Sequence, residues 1–100
     1  MNIIKDNVPA PEMLAGLAEE CAELAKAALK LRRVLDGTNP TPVPKEEADV
    51  LFCEEVADVM LYLEMIDYDK KLSLFYKKIK LSRWEDRIVK RNEERQKENG

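Results

Sequence analysis

The sequence contains no histidine, and among its 100 residues it has only two cysteines, three glycines and one tryptophan. Without histidine, the chain lacks the commonest general base of enzymes and the Glu-x-x-His ligands of ferritin-like di-iron bundles. Two cysteines alone are also too few for a four-ligand zinc site of the Cys/His type. Any metal site in this chain is therefore expected to consist of oxygen ligands.

Glycine, proline and aromatic residues are sparse, whereas 45% of the residues are apolar and 37% are charged. This composition favours a helical protein over a β sandwich or a disordered chain. One hundred residues suffice for one compact domain with a modest core. We predict a single all-α domain over residues 1–92. A frayed charged tail should follow over residues 93–100, because the C-terminal sequence has almost nothing to bury.

The formal net charge of −3 disfavours a protein that coats nucleic acid phosphates, which requires a basic face. No uninterrupted apolar run reaches the roughly 18 residues of a membrane span, and the N-terminal segment lacks the apolar core of a secretory signal. We predict a cytoplasmic protein with neither a nucleic acid polymer nor a membrane as partner. In such a reducing compartment Cys21 and Cys53 are expected to be small buried hydrophobes, with a disulfide between them as the alternative.

Apolar residues recur at steps of three and four between Met13 and Leu35, which predicts an amphipathic helix of about seven turns. Pro9 and Pro11 before it predict an extended entry. The helix should end at Asp36-Gly37, because glycine suits the position after a helix and three prolines follow in the loop GTNPTPVP.

A second helix is predicted to begin between Pro44 and Glu46, because proline and acidic residues are favourable in a first turn. Asp67 and Asp69 then predict a break and the N-cap of a third helix. The inner side of the third helix is predicted to carry Leu72, Phe75, Ile79, Trp84 and Ile88.

Short connections favour antiparallel neighbours, so the first two helices should form a hairpin with the third packed against it. Three helices with this much apolar surface bury it incompletely on their own. We therefore predict that the chain assembles into a helical bundle by homo-oligomerisation across a two-fold axis, as a homodimer or a homotetramer.

Two acidic motifs of the same form interrupt the apolar stripes of the first two helices. LAEECAELAK spans residues 17–26, and CEEVADVML spans residues 53–61. Glu20 with Glu23, and Glu55 with Asp58, are three residues apart and point roughly the same way on a helix. The two pairs come from the middle of each helix, so a hairpin can bring them face to face. Their mutual repulsion then requires a cation between them.

Two interpretations of these acids stay open. In the first, they form a solvated face or pair with Lys and Arg side chains across the hairpin. In the second, they form an all-oxygen cage for Mg²⁺ or Mn²⁺ made of Glu20, Glu23, Glu55 and Asp58. Because Mg²⁺ also ligates substrate phosphates, such a cage indicates a phosphate-bearing substrate. Glu19 and Glu54 are rotated by about 100° from their neighbours Glu20 and Glu55, which predicts a position at the rim of the group. There they either face solvent or form a salt bridge, or they support a metal ligand or bind a second metal.

At these residues the chain resembles the MazG-like superfamily of all-α nucleoside triphosphate pyrophosphohydrolases. The family pattern Glu-Glu-x-x-Glu followed by Glu-x-x-Asp is matched by EECAE at 19–23 and EVAD at 55–58. The resemblance implies hydrolysis of a nucleoside triphosphate to the monophosphate and pyrophosphate. It further implies a catalytic centre at Glu19, Glu20, Glu23, Glu55 and Asp58, with the last four as Mg²⁺ ligands.

The family often has a segment Lys-x-x-x-Asn-x-x-Arg on its third helix, and KLSRWEDR at 80–87 is similar, with Trp84 in place of the Asn. Lys80, Arg83 and Arg87 also share one face of a helix and can oppose a triphosphate. The alternative is a solvated helix with local ion pairs that involve Asp86. Trp84 either packs in the core or an interface, or stacks on a base.

Two further functions remain open. The chain can be a non-enzymatic interaction module whose apolar stripes bind a partner helix while the acids set the register. Within the enzyme class, a related pyrophosphohydrolase can act on a phosphoribosyl nucleotide. The preferred nucleotide is left open by the sequence.

Overall fold

The computed structural model describes residues 2–38 and 43–100, which form four helices. They are α1 (Ile3–Asn7), α2 (Ala10–Asp36), α3 (Lys45–Met65) and α4 (Lys70–Asn99). The predicted all-α class is confirmed for these residues. The predicted stiff loop is described only at its two ends, because residues 39–42 with Pro40 and Pro42 lie outside the described residues. In the described chain, no helix is long and apolar enough to cross a membrane.

Helix α2 begins earlier than the sequence predicted and ends where predicted. Pro9 is the N-cap of α2, and Pro11 lies in its first turn, where a missing N–H costs nothing. The predicted extended entry therefore ends at Pro9, and its continuation to Pro11 is wrong. At the other end Gly37 adopts the left-handed conformation with φ 75° and donates its N–H to the Arg33 carbonyl. Hydrogen bonds from the Thr38 hydroxyl and N–H hold the pKa of Asp36 below its ordinary value.

Gly37→Ala is expected to lower the free energy of unfolding by about 1 kcal/mol, because an L side chain is strained at positive φ. A Cβ atom at Gly37 would contact nothing within 4 Å, so the loss is conformational rather than steric. Chemical denaturation followed by circular dichroism measures it. Gly37→Asn is the matched control and should lose less, since asparagine tolerates this conformation. Equal stability of the alanine variant would contradict this account of the helix end.

Helix α1 was not predicted, because five residues provide too little periodicity. The Asn2 side chain caps it by accepting hydrogen bonds from the N–H groups of Ile4 and Lys5. Its Lys5 ammonium lies 3.2 Å from the Asp67 carboxylate beyond the end of α3. The amide of Asn2 donates to the Met65 sulfur at 3.5 Å. These contacts tie the N-terminal segment to the end of α3.

Helices α2 and α3 pack against each other through small side chains. Ala27 is 3% exposed and Ala48 is 1% exposed, and Met13 completes the buried set among the described residues. Small residues let two helix backbones approach closely. Gly16 of α2 lies against the Tyr62 ring of α3. The packed surface is therefore narrow, and much of the apolar stripe remains outside it.

The uncovered part of α2 forms a stripe of residues seven apart, Leu14, Cys21, Ala28 and Leu35, all of which are exposed. Leu17, Leu24 and Leu31 run beside it and are half-buried. Cys21 and Cys53 are free thiols on the surface, so their prediction as buried hydrophobes is wrong. Cys21 belongs to the exposed stripe of α2.

Helix α4 begins at the predicted N-cap, where the Asp69 side chain accepts a hydrogen bond of 2.9 Å from the Leu72 N–H. It continues to Asn99 through the residues predicted to fray, because Lys, Arg, Glu and Gln are good helix formers even without burial. On the predicted inner side only Ile79 and Ile88 are half-buried. The chain divides into two compact units, Met1–Asp67 and Tyr68–Gly100, and the predicted single domain over 1–92 stays a prediction.

Candidate metal site

Three of the predicted acids meet between the middle of α2 and the middle of α3. Glu20, Glu55 and Asp58 each offer one carboxylate oxygen, and these three oxygens lie within 4.8 Å of one another. Glu55 and Asp58 share one face of α3 because three residues make nearly one helical turn. All three side chains are half-buried.

Partial burial and the neighbouring carboxylates raise the pKa of one member of the group. Partial burial raises the pKa of Glu20 above its ordinary value, and the charges of Asp58 and Glu55 raise it further. A hydrogen bond with Asp58 acts in the same direction, and so does the charge of Glu23. Glu20 thus retains its proton at a pH where an ordinary carboxyl group is ionised. The group resists carrying three negative charges without a cation.

The donor set fits a hard divalent cation. Glu55 Oε2 is buried and has no hydrogen-bond partner, although a buried polar atom normally has one. Carboxylate oxygens are the ligands that Mg²⁺ prefers, at about 2.1 Å. Two oxygens on one Mg²⁺ can be at most about 4.2 Å apart. The three oxygens, which all lie within 4.8 Å of one another, are therefore close to the span that a single ion can bridge.

Glu23, the fourth predicted ligand, lies outside the group of three. Its side chain is 51% exposed, and its carboxylate lies 3.4 Å from the Lys26 ammonium. Lys26 was missed as a partner of the acids, although its spacing of three residues from Glu23 on a helix was a usable signal. Glu23 nevertheless lies close enough for its charge to affect Glu20.

Glu19 and Glu54 are both exposed and do not belong to the group of three. Their exposure agrees with the rotation of about 100° per residue that placed them at the rim. Neither forms an ion pair within the described residues. The predicted catalytic role of Glu19 stays a prediction.

The predicted substrate-binding residues lie in the second unit, on one side of α4. Lys80, Arg83, Trp84 and Arg87 line a shallow groove together with Tyr76 and Lys77, two neighbours that the sequence motif did not include. Trp84 is 61% exposed, so its ring lies at the surface of the second unit. The alternative ion pairs of Asp86 with Arg83 or Lys90 are not formed within residues 70–99.

Comparison with known proteins leaves the site to be interpreted from its own geometry. No protein-family model, curated protein or solved structure matches the chain. The interpretation therefore rests on the motifs EECAE and EVAD and on the three carboxylates that they bring together.

Mg²⁺ or Mn²⁺ is expected to raise the melting temperature by several degrees, because a ligand that binds only the folded state stabilises it. Differential scanning fluorimetry with and without the metal measures the shift. Glu55→Gln should abolish the response, and it should leave the metal-free melting temperature equal or higher because repulsion is relieved.

Glu54→Gln is the matched control for this measurement, because Glu54 is the exposed neighbour on the same helix. It should keep the full metal response. A wild-type protein whose melting temperature ignores both ions would contradict the metal site. An equal response in both variants would place the bound ion elsewhere.

Proposed function

We propose that this protein is a metal-dependent nucleoside triphosphate pyrophosphohydrolase of the MazG-like type. The observation that carries the proposal is the half-buried group of three carboxylates, one oxygen of which is buried and unpartnered. It is built from the two ordered motifs, EECAE and EVAD, that resemble the family. A cytoplasmic location is part of the same proposal.

Glu20, Glu55 and Asp58 would hold a divalent cation, Mg²⁺ or Mn²⁺, and the resemblance adds Glu23 to this set. When bound, the cation would supply activation of a water molecule and neutralisation of phosphate charge. Glu23 lies one turn from Glu20 and would first have to release Lys26. Partial burial and the neighbouring acids raise the pKa of Glu20, and a bound cation would favour its ionised form.

In the proposed reaction, the oxygen of a water molecule forms a bond to the α-phosphorus of the nucleotide, and the α–β anhydride bond breaks. The products are the nucleoside monophosphate and pyrophosphate. A carboxylate of the site, either Glu19 or one of the grouped acids, accepts the proton of the water. The catalytic set therefore comprises Glu19, Glu20, Glu23, Glu55 and Asp58.

The groove on α4 is proposed to bind the substrate. Lys80, Arg83 and Arg87 can pair with phosphate oxygens through charge-assisted hydrogen bonds. The exposed Trp84 ring offers a flat surface on which a base can stack. A nucleotide carries both groups, so one groove with basic and aromatic side chains suits this class of ligand.

Wild-type protein with Mg²⁺ is expected to release pyrophosphate and a monophosphate from at least one member of a panel of canonical and modified nucleotides. Phosphoribosyl nucleotides belong in the panel, because a related enzyme would prefer them. Glu20→Gln should lower the rate at least about 100-fold, since the cation contributes several kcal/mol of charge stabilisation.

Glu12→Gln is the control for this assay, because Glu12 is an exposed acid in the first turn of the same helix. It should leave the rate unchanged, and circular dichroism should show equal helicity in both variants. Inactivity of the wild type across the whole panel would contradict the enzyme. The interaction module, favoured by the exposed apolar stripe of α2, would then take its place.

An antiparallel hairpin of α2 and α3 and its homo-oligomeric assembly are also part of the proposal. Gly16 contacts Tyr62. Glu20, one turn after Gly16 on α2, lies beside Asp58, which is one turn before Tyr62 on α3. This opposite order supports the hairpin. The stripe of Leu14, Cys21, Ala28 and Leu35 repeats every seven residues, a spacing typical of helices that pack against partner helices.

Ala28→Glu is expected to shift the protein from a dimer or tetramer towards the monomer, because it places a charge in the exposed stripe. Ala28 lines an apolar groove with Leu31, Leu35 and Phe52. Light scattering after gel filtration measures the mass. Ala22→Glu makes the same change on another exposed side of α2 and should leave the mass unchanged. A wild-type monomer at every concentration would contradict the assembly.

A further inference from the structure

The contact between Gly16 and Tyr62 lies directly beside the acid group on both helices. Gly16 precedes Glu20 by one turn of α2, and Tyr62 follows Asp58 by one turn of α3. A Cβ atom on Gly16 would lie 2.5 Å from Cζ and Oη of the Tyr62 ring. Carbon atoms in contact are normally about 3.5 Å or more apart. With the Tyr62 ring in this position, a Cβ atom at residue 16 would require either the ring or the helices to move.

The backbone conformation does not explain why residue 16 is glycine. A glycine inside a helix makes the helix less stable than alanine would, so the position needs another reason. Gly37 is the glycine with positive φ in the described chain, whereas Gly16 lies within α2. The space occupied by the Tyr62 ring supplies the reason. The glycine allows α2 to approach the ring of a large side chain on α3.

The close approach of α2 to Tyr62 affects the acid group, because the contact between Gly16 and Tyr62 and the acid group lie on successive turns of the same two helices. The three carboxylate oxygens lie within 4.8 Å of one another, and two ligands of one Mg²⁺ are at most about 4.2 Å apart. Because these two limits are similar, a wider separation of the two helices would take the oxygens out of reach of a single ion. Packed helices transmit a local displacement to the next turn rather than absorbing it.

We propose that Gly16 is a positioning residue for the cation site. By leaving space for the Tyr62 ring, it holds α2 and α3 at the separation at which Glu20, Glu55 and Asp58 can reach a single divalent cation. Gly16 touches neither cation nor substrate and acts only through Tyr62. This inference rests on one part of the proposed function, the cation site. It requires neither hydrolysis nor a particular nucleotide.

The test is a double-mutant cycle at positions 16 and 62. Mn²⁺ alone is the probe, and its binding is measured by electron paramagnetic resonance. Gly16→Ala should weaken Mn²⁺ binding at least tenfold while circular dichroism shows unchanged helicity. Adding Tyr62→Leu should restore the binding, because leucine lacks the Cζ and Oη atoms that a Cβ atom would meet. Adding Tyr62→Phe should not restore it, because phenylalanine keeps Cζ.

Ala18→Ser is the matched control, since it adds one atom to an exposed residue of the same helix and should leave the affinity at the wild-type value. Equal Mn²⁺ affinity in Gly16→Ala and the wild type would overturn the positioning role and leave the cation site standing. Failure of Tyr62→Leu to rescue the alanine variant would also overturn it. A wild type that binds no Mn²⁺ would overturn the cation site itself, and the positioning role with it.

Discussion

The close packing of α2 against α3 is the constraint on which the other features of the protein depend. Ala27 and Ala48 are nearly inaccessible, and Gly16 gives its space to the Tyr62 ring. Small side chains at these points bring the two backbones together, and they also leave a narrow core. The same packing therefore creates a half-buried acid group and leaves a long apolar stripe uncovered.

The acids work against this packing unless a cation is present. Partial burial raises the pKa of Glu20, and the repulsion between the neighbouring carboxylates raises it further. Glu55 keeps one buried oxygen without a partner. A protein that only required stability would place apolar residues here, because they would fill the same space without repulsion. The proposed cation would offset this repulsion.

The ends of the long helices were predictable because their causes are local. Gly37 ends α2 through its own backbone freedom, and Asp69 caps α4 through its own side chain. Helix α1 was not predictable from its local cap alone. Lys5 and Asn2 also contact residues about sixty positions away in the chain. Cys21 was wrongly predicted to be buried, since periodicity identifies an apolar face but not how much of it a neighbour covers.

The sequence by itself determined the helical class, the end of α2, the starts of α3 and α4 and the two acidic motifs, because periodicity, caps and motif spacing are properties of neighbouring residues. Only the tertiary structure decided which carboxylates meet. It joined Glu20 to Glu55 and Asp58 and left Glu23 beside Lys26. The rotation of each helix and the distance between them decide this choice, and both are set by contacts between residues far apart in the chain.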